Sequence, residues 1–324
     1  MRSSEDILGK LSAHLADDLE AVDELIRRVL RSRVGLTNEV VDYLRATSGK
    51  RLRPMVALLA SGVGGQRVDA RILAAAVVEL LHIASLLHDD VIDHASLRRG
   101  RATVNARWSN DVAILMADFL YSRAFSAAFE MLPPDMIAVL CDVAAVMCDG
   151  EMFQIEKNGQ LLSEEDYGFI IECKTAELFS ACGRLGGAIS GAGEAAVDAL
   201  TRYGRAFGCA FQIVDDVLDL TADPSLLGKD IGTDIACGKQ TLPLIRALSK
   251  ADAEDRQFLL EALTDGRNPT EVVACVSKYD GIEYAMEVAR HHAVAARKAV
   301  EGLPDAVSRT YLCDLTEVVV NRRR

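Results

Sequence analysis

Leu86-Leu87-His88-Asp89-Asp90-Val91-Ile92-Asp93 closes a mostly apolar run, Ile72 to Leu87, that holds neither Gly nor Pro. Such a run reads as a buried helix. Positions four apart on a helix share a face, with β-carbons roughly 6 Å apart. Asp89 and Asp93 therefore project together while Asp90 turns about 100° away. Paired carboxylates at the end of an apolar helix repel each other unless a cation neutralises them. Oxygen-only ligands suit Mg²⁺, which takes one or two carboxylates and leaves its other positions to water and phosphate. One such cluster alone reads as a solvated helix end. A second one, Phe211-Gln212-Ile213-Val214-Asp215-Asp216-Val217-Leu218-Asp219, again ends a long apolar segment and changes that reading.

Around these clusters the chain of 324 residues is 50% hydrophobic and only 5% aromatic, with seven prolines. An Ala- and Leu-rich, Pro-poor composition favours helices packed on helices. No linker is long enough to divide it, so residues 1–324 read as a single domain. A net charge of −12 argues against a nucleic-acid partner, which needs a basic face. The eight cysteines form no CxxC pair and read as reduced core residues. No signal-peptide h-region opens the chain, and Asp or Lys interrupts the other candidate spans. The expectation is a soluble, cytoplasmic protein without a transmembrane helix.

Helices are expected over 5–33, about 54–63, 68–94, 108–131 and 134–157, then from Ser163-Glu164-Glu165 and again after Gly193. Residues 222–240 read as the longest irregular stretch, a lid beside a site. The C-terminal arginines, 322–324, read as a solvated tail, with a reach to a diphosphate as the alternative. Cations stand near the turns: Lys50, Arg53, Arg98, Arg99, Lys174, Lys229 and Lys239. Each alone is a surface charge. Together with metal carboxylates and an apolar helix they point to a diphosphate ester with a hydrocarbon tail. Metal-assisted loss of diphosphate would leave an allylic cation, which needs a dry apolar pocket.

Asp89-Asp90-x-x-Asp93 with Arg98-Arg99-Gly100, and Asp215-Asp216-x-x-Asp219, resemble the two signature motifs of trans-polyprenyl diphosphate synthases. Gly49-Lys50-Arg51-x-Arg53-Pro54, Lys174-Thr175, Phe211-Gln212 and Gly238-Lys239-x-Thr241-x-Pro243 match further motifs of that family. The likeness is greatest to bacterial octaprenyl and solanesyl diphosphate synthases. It implies an all-α fold, a single-domain antiparallel helical bundle around a deep apolar cavity, a homodimer, and Mg²⁺-dependent addition of isopentenyl diphosphate to an allylic diphosphate, farnesyl or geranyl. It further implies a long lipid product, destined for quinone side chains and handed to the membrane.

By motif, the resemblance makes Asp89 and Asp93 ligands of two Mg²⁺ ions, with Asp90 in support. Asp215 would hold a third, while Asp216 and Asp219 act through water. Arg98, Lys174, Gln212, Lys229 and Lys239 become allylic-diphosphate contacts, with Thr175 at the reacting carbon. Lys50, Arg53, His82 and Arg99 take the second substrate without metal, and the released diphosphate removes the proton. His82 has an alternative as a core histidine bonded within its own helix. Three rivals carry less of the chain. A terpene cyclase lacks the Lys50-Arg53-His82 set. A di-iron bundle needs a second Glu-x-x-His besides Glu79-x-x-His82, and a non-catalytic subunit loses aspartates that are all present here.

Product length is read from the opening helix. The hydrocarbon is expected to run back from Asp89 past Ser85 and Ala84, then Leu81, Val77, Val78 and Ala74. Small Ala84 and Ser85 leave that path open. Residues 68–88 offer roughly 30 Å of wall, enough for a product of about C40 within a range of about C35 to C50.

Overall fold

The computed structural model describes residues 4–46, 49–64, 69–221, 233–265, 269–304 and 307–322. At its centre lies α5 (Ala70–Ile92), whose Leu73 to Leu81 are all buried. That run is apolar on every face apart from Glu79, so it needs neighbours all round. They are α2 (Ala16–Val29), α4 (Leu52–Val63), α7 (Asn110–Met131) and α10 (Glu177–Ile189). Next to α10 comes α11 (Glu194–Thr221), the second acidic helix, and beyond it α16 (Gly281–Val300). The remaining helices are α1 (Ser4–His14), α3 (Gly35–Ala46), α6 (Val104–Arg107), α8 (Pro134–Glu156) and α9 (Glu164–Ile171). After α11 come α12 (Thr233–Ala236), α13 (Leu242–Lys250), α14 (Ala253–Asp265), α15 (Pro269–Lys278) and α17 (Val307–Asn321). One hydrophobic cluster joins α2, α4, α5, α7, α10, α11, α16 and α17; a smaller one lies under α13 to α15.

Local chemistry sets the breaks. Helix α5 stops where His94 takes a left-handed backbone, φ 50°. Ser109 starts α7 by accepting the Val112 N–H at 3.2 Å, and Ser163 with Asp166 closes a reciprocal capping box on α9. The expected basic loop is a two-strand hairpin, β1 (Leu97–Arg98) and β2 (Arg101–Ala102). Its two turn residues, Arg99 and Gly100, both have positive φ (52° and 73°), the geometry of the tight turns that suit strand twist. Helix α9 runs unbroken into one π turn, Glu172–Ala176, and then into α10.

Two expectations change. Part of the irregular stretch is helical, since 233–236 form α12; Lys229 and 222–232 lie outside the described residues. By length and composition α5 and α7 are both apolar enough to cross a membrane. Helix α5 is a core helix, but α7 buries only 33% of its apolar window and exposes Ile114, Leu115 and Phe129. Asp111 and Asp118 are too few to break up so apolar a span.

Candidate active site

The first acidic cluster meets its cations at short range. Lys239, just beyond α12, donates to Asp93 Oδ2 at 2.6 Å, a contact between residues 146 apart in sequence. Asp90 is buried and taken by Arg98, whose Nε and Nη2 both lie 2.8 Å from Oδ1. Lys174, on the π turn, ion-pairs with Glu151 of α8 and donates to Gln154 Oε1 at 3.2 Å. Gly150 permits that approach: a β-carbon there would sit 2.6 Å from Cys173 Cβ. Asp89 faces this group and is pushed up to about 6. Burial is the main cause; Glu151 and Asp93 add negative potential that Lys174 offsets in part. Glu151 and Gln154 were not among the sequence-derived residues. Their signal was a Glu-x-x-Gln placed one helical turn apart near the end of α8.

The second cluster divides by exposure. Asp215 is 58% exposed. Asp216 is buried, accepting from Tyr167 Oη at 2.7 Å and Gln212 Nε2 at 2.8 Å, while Gln212 Oε1 accepts from Thr175 at 2.8 Å. Burial, reinforced by Asp234, raises the Asp216 pKa against those two hydrogen bonds. Asp219 is buried too and accepts the Asp234 N–H at 3.0 Å, which ties α11 to the segment that carries Lys239.

Guanidiniums crowd the opposite wall. Arg53 Nη1 lies 3.0 Å from His82 Nε2 and its carbon sits 4.6 Å above the Phe179 ring. A guanidinium only donates, so Nε2 is the acceptor and His82 is neutral there. The histidine bonds across helices, not within its own as the alternative reading had it. Burial first, then Arg53, Arg99, Arg98 and Arg51, hold its pKa well below the usual histidine range. Arg51 itself is anchored to Asp23 at 2.6 Å and Glu79 at 2.8 Å, which fixes the turn that carries exposed Lys50. Arg99 lies against Gly49, where a β-carbon would come within 2.5 Å of its nitrogens. A side chain there would push the Arg99 guanidinium aside. Gly49, His82, Arg98 and Arg99 line one pocket with Tyr43 and Leu86.

One expectation is overturned. Arg322 is not part of a solvated tail: its side chain is 11% exposed and donates to Phe211 O at 2.8 Å and Asp215 Oδ1 at 3.1 Å. It also stacks 4.1 Å above the Phe211 ring. The packing of α17 on α11 brings the helix end to Asp215, and a planar guanidinium can serve carbonyl, carboxylate and ring at once. Arg323 and Arg324 lie outside the described residues.

The chain-length residues also separate. Ser85 is partly accessible on the face of His82 and Asp89, its hydroxyl bonded to His82 O at 2.9 Å. Ala84, Leu81, Val77, Val78 and Ala74 are at most 1% accessible. Of the expected lining, Ser85 alone is accessible; the others are packed against neighbouring helices.

Among the described residues no three carboxylate, His or Cys side chains converge to enclose a metal. The donor set still fits Mg²⁺, which needs only one or two carboxylates per ion. Asp89 is short of positive charge, and Asp93 and Asp215 hold a lysine and an arginine that a divalent ion could replace.

Residues 34–279 match the sequence model of the polyprenyl synthetase family. The chain is 38% identical to an octaprenyl diphosphate synthase of Haemophilus influenzae over 95% of each chain. A polyprenyl synthase from Caulobacter crescentus, solved in complex with calcium and isoprenyl diphosphate, superposes with a TM-score of 0.94 at 32% identity, covering 98% of each chain. A decaprenyl diphosphate synthase structure from Rhodobacter capsulatus gives 0.92 at 37% identity, covering 98% of this chain and 99% of that one.

Proposed function

The chain belongs to the polyprenyl synthetase family, and from that premise we infer a long-chain all-trans polyprenyl diphosphate synthase. This prenyltransferase would add isopentenyl diphosphate repeatedly to an allylic diphosphate, with farnesyl diphosphate as starter, to about C40. One observation carries the reading: a carboxylate site bridged by lysines faces a guanidinium site that needs no metal. Such a pair suits two diphosphates, only one of which has to leave.

Asp89, Asp93 and Asp215 would hold three Mg²⁺ ions, which supply the charge that makes the allylic diphosphate a good leaving group. Lys174, Lys239, Lys229, Gln212 and Arg98 hold the same diphosphate from the protein side. Asp90 keeps Arg98 in place, and Asp219 keeps the Lys239 segment against α11. Thr175 is held by Gln212 where the allylic carbon reacts, and the departed diphosphate takes the final proton. Lys50, Arg53, His82 and Arg99 bind isopentenyl diphosphate. Neutral His82 adds no charge there; it orients Arg53.

Exposed Ile114, Leu115 and Phe129 on α7, with Met152 on α8, support a homodimer built through these helices. We place the enzyme in the cytoplasm, as one domain that hands its lipid to the membrane. Product analysis with farnesyl diphosphate as starter tests the reading. The wild type is expected to give a ladder ending at about C40, and Ser85→Phe to stop at about C15–C20, because the ring fills the only accessible part of the path. A wild type that stops at about C15, or a Ser85→Phe enzyme with full-length product, would overturn the length assignment. Ala84→Phe is the harsher variant, since Ala84 is already enclosed.

A further inference from the structure

The π turn that presents Lys174 and Thr175 is tied to α11 through a chain of hydrogen bonds ending on a phenol. Tyr167 is buried on α9, eight positions before Thr175, and the helix between them is continuous. Its hydroxyl donates to Asp216 Oδ2 at 2.7 Å. The other carboxylate oxygen accepts the Gln212 amide at 2.8 Å, which leaves Gln212 Oε1 to accept from Thr175 at 2.8 Å. With Asp216 ionised, every donor and acceptor in this hydrogen-bonded chain has one assignment, because the carboxylate accepts and the Gln212 amide must present its NH₂ to it. Tyr167 and Thr175 thus grip α11 on either side of a π turn, a local widening that α-helical bonding alone does not hold in register.

We propose that Tyr167 is a positioning residue for the allylic half of the reaction, setting Gln212 and Thr175 through Asp216. The proposal rests on the synthase reading above. Loss of its hydroxyl would free Asp216 to turn, loosening Gln212 and then Thr175, while no hydrogen bond of this series reaches Arg53, His82 or Arg99.

Tyr167→Phe removes one oxygen and keeps the ring. In the full-length enzyme with Mg²⁺ it is expected to raise KM for farnesyl diphosphate about tenfold while KM for isopentenyl diphosphate stays within about twofold. Calorimetric affinity for farnesyl thiolodiphosphate, an analogue slow to ionise, should fall in parallel. Tyr203→Phe is the control: it loses a buried phenol bond of 2.8 Å to Leu312 O, about 13 Å along α11 from Gln212. It should lower Tm without separating the two KM values. Equal changes in both KM values for Tyr167→Phe, no change at all, or the same split in Tyr203→Phe would overturn the positioning role. A wild type that binds the analogue but makes no polyprenyl product, with binding still weakened by Tyr167→Phe, would sink the synthase reading and leave the positioning role standing.

Discussion

The two walls of the cleft perturb their titratable groups in opposite directions. On the aspartate wall, burial and neighbouring carboxylates push Asp89 up to about 6. On the arginine wall, burial and four guanidiniums push His82 well below its ordinary value. Burial disfavours charge on both; the sign of the surplus differs. Lys174, Lys239 and Arg98 neutralise the acid wall only in part, so Asp89 stays raised, and the guanidiniums around His82 leave room for an anion. Each deficit describes what it would bind: divalent ions with a diphosphate on one side, a bare diphosphate on the other.

The largest effect should come from breaking the acid wall. Asp89→Ala or Asp215→Ala is expected to cost at least about a hundredfold in turnover, because charge on the leaving group goes unneutralised. EDTA should abolish turnover and Mg²⁺ restore it. Near-normal rates in Asp89→Ala would remove the metal site from this stretch.

Substrate selectivity should then follow the walls. Lys50→Ala or Arg53→Ala should raise KM for isopentenyl diphosphate about tenfold and leave the allylic KM nearly unchanged, with Lys239→Ala doing the reverse. Equal shifts for both substrates would show that the two walls do not divide the substrates.

The smallest effect is on stability. A carboxylate raised to about 6 binds more protons folded than unfolded, so Asp89 stabilises the metal-free protein below about pH 4 and that contribution is lost as pH rises through about 6. His82 has the opposite sign: its contribution is present above the ordinary histidine value, about 6.5, and is lost as pH falls below it. In thermal melts without metal, Asp89→Asn and His82→Gln should therefore tilt the Tm–pH profile in opposite directions, each by a few degrees. Tilts of the same sign would mean that the two groups are not shifted in the opposite directions that burial and their neighbours impose.

Much of this arrangement was legible before folding. An apolar run without Gly or Pro gave α5, a second apolar segment ending in aspartates gave α11, and the aspartate spacing placed Asp89 and Asp93 on one face, because helical period is a local property. The motif cations were found as residues, but their partners were not. Nothing near position 322 announces that Arg322 will reach Asp215, 107 residues away. Nor does the sequence around Glu151 show that it faces Lys174, or that around Tyr167 that it ends on Asp216. Periodicity says which side of a helix is buried; register and crossing between helices say what it meets, and those come from packing the whole core. Ala84 makes the same point: its smallness could be read, but whether it borders open space or a packed neighbour was decided only by the helices laid against it.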